Sequence, residues 1–143
     1  MLDALRWMDG AGLHLWDEED VRWEGLCKRY ALQDFCIAYK DGQPAACMAL
    51  SDSDALWPDV PKGESLFLHK IAVKRAFAGQ GLTDALIGFA KCVAHARGIH
   101  ALRLDCAADR AKLRALYERN GFSCVHEKLL FGKYHTVFFL CKL

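Results

Sequence analysis

The stretch from Glu64 to Cys106 constrains this chain most. It contains a long apolar strand, Glu64–Val73, then a turn of small residues, Lys74–Gln80. A helix follows from about Gly81 to Gly98, and a short strand, Ala101–Cys106, ends the stretch. Two consecutive strands joined through a helix lie parallel in one sheet, with a right-handed crossover. Leu82, Ala85, Leu86, Phe89 and Val93 recur on one face of the helix. Leu102 and Leu104 share one side of the short strand.

The flanking segments complete the sheet. Asp34–Lys40 and Gln43–Leu50 surround Asp41-Gly42, a strong two-residue hairpin signal. Downstream, Asp109 is placed to N-cap a helix in which Leu113, Leu116, Tyr117 and Asn120 share a face, and Asn120-Gly121 stops it. Phe122–Glu127 and Tyr134–Lys142 read as closing strands joined around Gly132. Upstream, Met1–Asp9 predicts a short helix stopped by Gly10 and Gly12. A second helix is predicted from Asp17 as N-cap to near Tyr30, on the spacing of Trp23, Leu26, Cys27 and Tyr30. Between the hairpin and the long strand, Ser51–Gly63 reads as an acidic loop with one exposed aromatic, Trp57. The order α-α-β-β-β-α-β-α-β-β belongs to the α/β class, as an α+β mixed sheet flanked by helices. No repeat or linker divides the 143 residues, so residues 1–143 are expected to form a single domain.

Charge and cysteine usage exclude several functions. With 19 Lys+Arg against 18 Asp+Glu the formal net charge is +1, which offers no general hold on nucleic acid or an acidic membrane. No apolar run approaches the roughly 18 residues of a membrane span. Met1–Gly12 also lacks a signal-peptide layout, so a soluble, cytoplasmic protein is expected. The seven cysteines are widely spaced, form no C-x-x-C pair and sit mostly in apolar stretches, as reduced, buried thiols do. The six histidines are scattered, and no metal site is expected.

The turn Ala72–Thr83 is where chemistry concentrates. Small residues let a backbone approach a ligand, and the N–H groups at a helix start carry partial positive charge, a combination suited to phosphate. Lys74 and Arg75 stand beside it as additional positive charge. A dinucleotide fingerprint would need glycine where Asp84 stands, and a P-loop would need Gly-Lys-Ser/Thr, so neither applies.

The segment resembles the pyrophosphate-binding motif of the GNAT superfamily of acyl-CoA N-acyltransferases, Gln/Arg-x-x-Gly-x-Gly/Ala after a strand ending in Val. Counted from Val73, Ala78 occupies the Gln/Arg slot, Gly81 the first glycine slot and Thr83 the second; a register through Gly79 and Gly81 puts Ala76 in the Gln/Arg slot. A second resemblance lies in Leu102-Arg103-Leu104-Asp105 followed by Leu116-Tyr117-Glu118-Arg119-Asn120-Gly121-Phe122, similar to the family's later strand and Leu-Tyr-Glu-x-x-Gly-Phe helix end. Arg110 stands where the family often has Asn, and the family's usual first strand is not evident.

This resemblance implies a GNAT-like fold and direct transfer of an acetyl group from acetyl-CoA, the cosubstrate, to a primary amine of a small molecule or protein. It places the pantetheine along the backbone of Ile71, Ala72 and Val73. The phosphates would lie against Ala78, Gly79, Gln80, Gly81, Leu82, Thr83 and Asp84. Tyr117 occupies the position of the acid that protonates the departing thiolate; without the family it reads as a half-buried core tyrosine. Glu64, His69 and Asp105 are candidates for taking the amine's proton, His69 reading otherwise as a satisfied core histidine. Asp52, Asp54, Asp59 and Glu64 favour a cationic acceptor that Trp57 would cover. The rival function is a non-catalytic acyl-CoA-binding regulator. The apolar strand Tyr134–Leu143 offers an edge for a homodimer.

Overall fold

Asp41 (φ 51°) and Gly42 (φ 72°) both take the left-handed conformation that a type I′ turn demands. They join β1 (Phe35–Lys40) to β2 (Gln43–Ser51), antiparallel from Phe35↔Ala49 to Lys40↔Gln43. The protein is described by a computed structural model, covering residues 1–14 and 16–143. β3 (Leu66–Val73) precedes α4 (Leu82–Ala96) and β4 (Ala101–Ala107). Then come α5 (Ala111–Arg119), β5 (Ser123–Leu130) and β6 (Tyr134–Lys142). Ahead of the sheet lie α1 (Leu2–Gly10), α2 (Glu18–Val21) and α3 (Trp23–Leu26). The strand order is β1-β2-β3-β4-β6-β5. The sheet is mixed, as the sequence predicts, and among the described residues no strand precedes Phe35. Internal contacts group the chain into two units, Met1–Ser51 with His69–Leu86, and Asp52–Leu68 with Ile87–Leu143.

In the first unit the predicted second helix is two pieces. Arg22 is extended (φ −74°, ψ 154°) and separates α2 from α3. Gly25 permits the break, because a β-carbon there would fall on the Glu19 carbonyl oxygen. Asp17 makes no capping side-chain bond; Arg22 and Glu18 pair instead. The apolar spacing that predicted one helix instead serves a ring cluster, with Trp23 6.2 Å and Tyr30 5.7 Å from Phe35. Ala45, Ala46, Met48, Ala49 and Leu50 of β2 are buried.

In the second unit β3 meets β4 in parallel at Leu66↔Leu102 and Phe67↔Arg103. β4 runs antiparallel to β6, and β6 to β5. Phe131 (φ 51°) and Gly132 (φ 65°) turn the last hairpin. Every second residue of β4 is buried, including Leu102 and Leu104 as expected. The buried stripe of α4 matches the predicted one in part. Leu86 is buried and Leu82 and Val93 are half-buried as expected, but Phe89 is 51% exposed. Ile87, Ala90 and Ala94 are fully buried instead, alanines being small enough to pack closely without marking an apolar stripe by size. Asp109 is not the cap of α5; Arg110 holds that position, with no capping side-chain bond.

Trp57 is the largest departure from expectation. It is only 6% exposed, packed 6.2 Å from Phe67, 5.2 Å from Phe138 and 5.5 Å from His126. The cation over its ring, at 4.8 Å, is the chain's own Arg103. Arg103 is held in turn by the Ser65 hydroxyl at 2.9 Å. The acidic loop is thus pinned by an aromatic core and offers no exposed indole for an acceptor. Trp57→Ala should cost about 3–5 kcal/mol, measured by chemical denaturation; a change below about 1 kcal/mol would contradict this packing.

All seven cysteines are free thiols, but only Cys106 and Cys141 are buried, and Cys27, Cys92 and Cys124 are exposed. Burial, with Asp105 adding to it, pushes the Cys106 thiol up to about 11. A group raised in this way stays protonated and unreactive at neutral pH. A thiol reagent at about pH 8 should label Cys27, Cys92 and Cys124 in the native protein and reach Cys106 only after denaturation. Peptide mass spectrometry reads the order.

Candidate active site

The site begins where β3 changes character. Leu66, Phe67 and Leu68 are all buried; from His69 the residues are half-buried, except Ala72. Lys70 takes φ 52°, a left-handed conformation within a strand. Such a residue turns the following backbone groups out of the regular ladder. Ile71, Ala72 and Val73, the segment assigned to the pantetheine, directly follow it. His69 is set by the Ser51 hydroxyl, 3.1 Å from its Nε2, and by the Tyr30 ring at 5.6 Å. It is a satisfied, half-buried histidine, as its strand position led us to expect.

β3 leads into a single 3₁₀ turn, Arg75–Phe77, and then Ala78 (φ −63°, ψ 146°). Gly79 (φ 73°) and Gly81 (φ 75°) are both left-handed, and a β-carbon on either would meet nothing within 4 Å. Their lack of a side chain therefore serves the backbone conformation and leaves the outer side of the turn open. Left-handed residues in such a turn aim neighbouring N–H groups into one concavity suited to an anion. The helical ladder starts with Ala85 N–H donating to the Gly81 carbonyl at 3.0 Å. Leu82, Thr83 and Asp84 thus form the positive end of the fifteen-residue α4. Gln80 turns back on its own loop, with its amide 3.4 Å from the Ala76 carbonyl.

Arg75 does not lend its charge to this concavity. Its guanidinium lies 4.4 Å from the centre of the Trp7 ring, and its N–H donates to Asp3 at 2.8 Å. Lys74 is exposed, and its N–H donates to the Ala45 carbonyl at 2.8 Å. Of the two basic residues expected to add charge, one is committed elsewhere.

Tyr117 lies in the second unit, on the inner face of α5. It is 6% exposed, with Phe122 at 6.0 Å and Phe139 at 5.8 Å edge-on or tilted to its ring. Burial raises its hydroxyl well above the ordinary range, and the nearby Cys106 and Asp105 add to the effect. The phenol therefore keeps its proton at neutral pH. Arg110 has its Nε 3.5 Å from Asp109. Glu64 is half-exposed, 3.9 Å from the Arg103 guanidinium. Asp105 is half-buried on β4. Among the described residues no three His, Cys, Asp or Glu side chains gather as metal ligands.

Sequence reasoning missed Lys70, Asp3 and Trp7. The left-handed Lys70 carries no local signal, since lysine is not a residue that prefers that conformation. Asp3 and Trp7 stand four apart on α1, a spacing that puts them on one face, but nothing local names Arg75 as their target.

The acetyltransferase (GNAT) family matches residues 2–122. An uncharacterised N-acetyltransferase, YesJ of Bacillus subtilis (strain 168), is 33% identical over 120 residues, covering 74% of this chain and 67% of that protein. Among solved structures, a GNAT-family acetyltransferase from Listeria monocytogenes superposes with a TM-score of 0.77 at 24% identity, over 99% of this chain and 84% of its own. A GNAT-family acetyltransferase from Elizabethkingia anophelis, with acetyl-CoA bound, gives 0.65 at 18% identity, over 87% and 85%. The structural likenesses carry the mixed-sheet fold, and the sequence match carries the family. The chain belongs to the acetyltransferase (GNAT) family.

Proposed function

We propose that the chain transfers an acetyl group from acetyl-CoA to a primary amine by direct attack. The observation that carries this reading is the turn of the first unit, in which two left-handed glycines with open outer sides lead into the positive end of α4. That cradle fits a pyrophosphate through backbone groups alone, so an alanine at position 78 costs it little. In this reading Ala78–Asp84 hold the phosphates and the backbone of Ile71, Ala72 and Val73 pairs with the pantetheine. N–H groups fixed after Lys70 are suited to negative charge developing on the thioester oxygen, because donors already in place need no reorganisation.

The amine must lose a proton to attack, and the sulfur must gain one to leave. Tyr117 is assigned the second role. Its proton passes from the hydroxyl to the thiolate as the carbon–sulfur bond breaks, and the proton lost by the amine, carried by water, restores it. Burial keeps that proton on the phenol at neutral pH and also makes it a weaker acid than a free tyrosine, so the proton moves only as charge builds on the sulfur. Cys106, held as a thiol, does not suit an acyl-cysteine route, so a single direct transfer is the simpler course. The acceptor is assigned only as a primary amine of a small molecule or protein.

Acetyl-CoA at about 100 times its dissociation constant should stabilise the fold by roughly 2.7 kcal/mol and raise the unfolding midpoint by about 5–11 °C. ATP and NAD should give no comparable shift. The absence of a shift with acetyl-CoA would remove the basis of the proposal. In an amine screen read by thiol release, Tyr117→Phe should lower turnover by about a hundredfold while acetyl-CoA affinity stays near the parent's. Full binding without turnover in the parent protein, across the screen, would favour the acyl-CoA-binding regulator.

A further inference from the structure

The strand segment proposed to receive the pantetheine is gripped at both ends by residues near the N-terminus. At its start, the Lys70 ammonium lies 5.1 Å from the centre of the Trp16 ring. At its end, Arg75 is held twice. Its backbone N–H donates to the Asp3 carboxylate at 2.8 Å, across 72 positions of sequence, and its guanidinium lies 4.4 Å from the Trp7 ring. Asp3 and Trp7 stand one turn apart on α1, so one helix face takes both the backbone and the side chain of the same residue. Met1 adds a fourth contact, sharing a small cavity with Ala72 and Lys74.

We infer that Asp3, Trp7 and Trp16 form an N-terminal clamp that fixes the backbone of Ile71–Val73 for acetyl-CoA, as positioning residues that do not touch it. This rests on the acetyl-CoA reading of that segment. The physical need follows from Lys70. A left-handed lysine is disfavoured relative to ordinary strand backbone, so a segment that starts with one tends to relax unless its surroundings hold it. Each contact lies at or near the surface and is weak alone. Together they restrain residues 70 and 75 from one short stretch of chain, which leaves Ile71–Val73 little freedom. The Asp3 bond matters most, because it holds the backbone itself and sets the first N–H of the 3₁₀ turn leading to Gly79 and Gly81.

The test uses the full-length protein and two readouts. Amide hydrogen exchange, without ligand, should show Arg75 and its neighbours from 71 to 75 exchanging about tenfold faster or more in Asp3→Ala and Trp7→Ala. The β1–β2 hairpin should exchange as in the parent. Titration calorimetry with acetyl-CoA should give a dissociation constant raised by about tenfold in the same variants. Asp3→Asn, whose amide oxygen can still accept the Arg75 N–H, should recover most of both effects, as should Trp7→Phe, which keeps a ring for the guanidinium. Unchanged exchange at 71–75 in both alanine variants would overturn the clamp, whatever the ligand does. Faster exchange with parent-like acetyl-CoA affinity would overturn its positioning role. If the parent itself binds no acetyl-CoA, the functional reading falls, and the positioning role falls with it.

Discussion

Lys70 is the constraint around which β3 is organised. Within the strand it alone takes a left-handed backbone, at a cost of about 1–2 kcal/mol for a residue with a side chain. Before it, Leu66, Phe67 and Leu68 are buried, with two residue pairs tied in parallel register to β4. After it, the residues are mostly half-buried. A strand made entirely of regular ladder would spend all its backbone groups on neighbours. The left-handed residue separates a stretch that serves the core from one that can serve a ligand. Its neighbours show how the strain is held, since His69 is tied to Ser51 and the Lys70 side chain lies over Trp16.

The tryptophans engage three of the chain's 19 Lys and Arg side chains. Three of the four lie under cations, with Trp7 under Arg75, Trp16 under Lys70 and Trp57 under Arg103. An aromatic face stabilises a cation while leaving its donors able to bond elsewhere, and Arg103 uses this to reach Ser65. The consequence for phosphate binding is that Arg75, although next to the glycine turn, is already engaged. What remains at the turn is the exposed Lys74 and the backbone, namely the N–H groups around Gly79 and Gly81 and the start of α4. An anion held by backbone does not depend on which side chain fills a motif slot.

What the sequence made legible follows the range over which each signal acts. The Asp41-Gly42 hairpin, the alternation of β4 and the glycine turn were all readable, because each depends on residues within a few positions of one another. The single helix expected to reach Tyr30 failed through Gly25, whose role is to let the Glu19 carbonyl approach. Glycine inside a helical pattern gives no sign of that use. Trp57 was misplaced for a different reason. Its surroundings in sequence are acidic and proline-rich, which reads as a solvated loop, while its partners Phe67, Arg103, His126 and Phe138 come from four strands up to 81 positions away.

The same distinction separates the parts of the candidate site. The proposed phosphate cradle is a property of backbone conformation, and conformation is written locally by Gly79 and Gly81. Tyr117 was singled out through its place in a motif, and the burial that keeps its hydroxyl protonated comes from rings that no motif encodes. The supports of the site are not local at all. Asp3 meets Arg75 across 72 positions, and Trp16 meets Lys70 from elsewhere in the N-terminal segment. A motif is read from residues close in sequence, so it reaches the glycine turn proposed for acetyl-CoA and passes over the contacts that restrain residues 70 and 75, which the fold alone brings together.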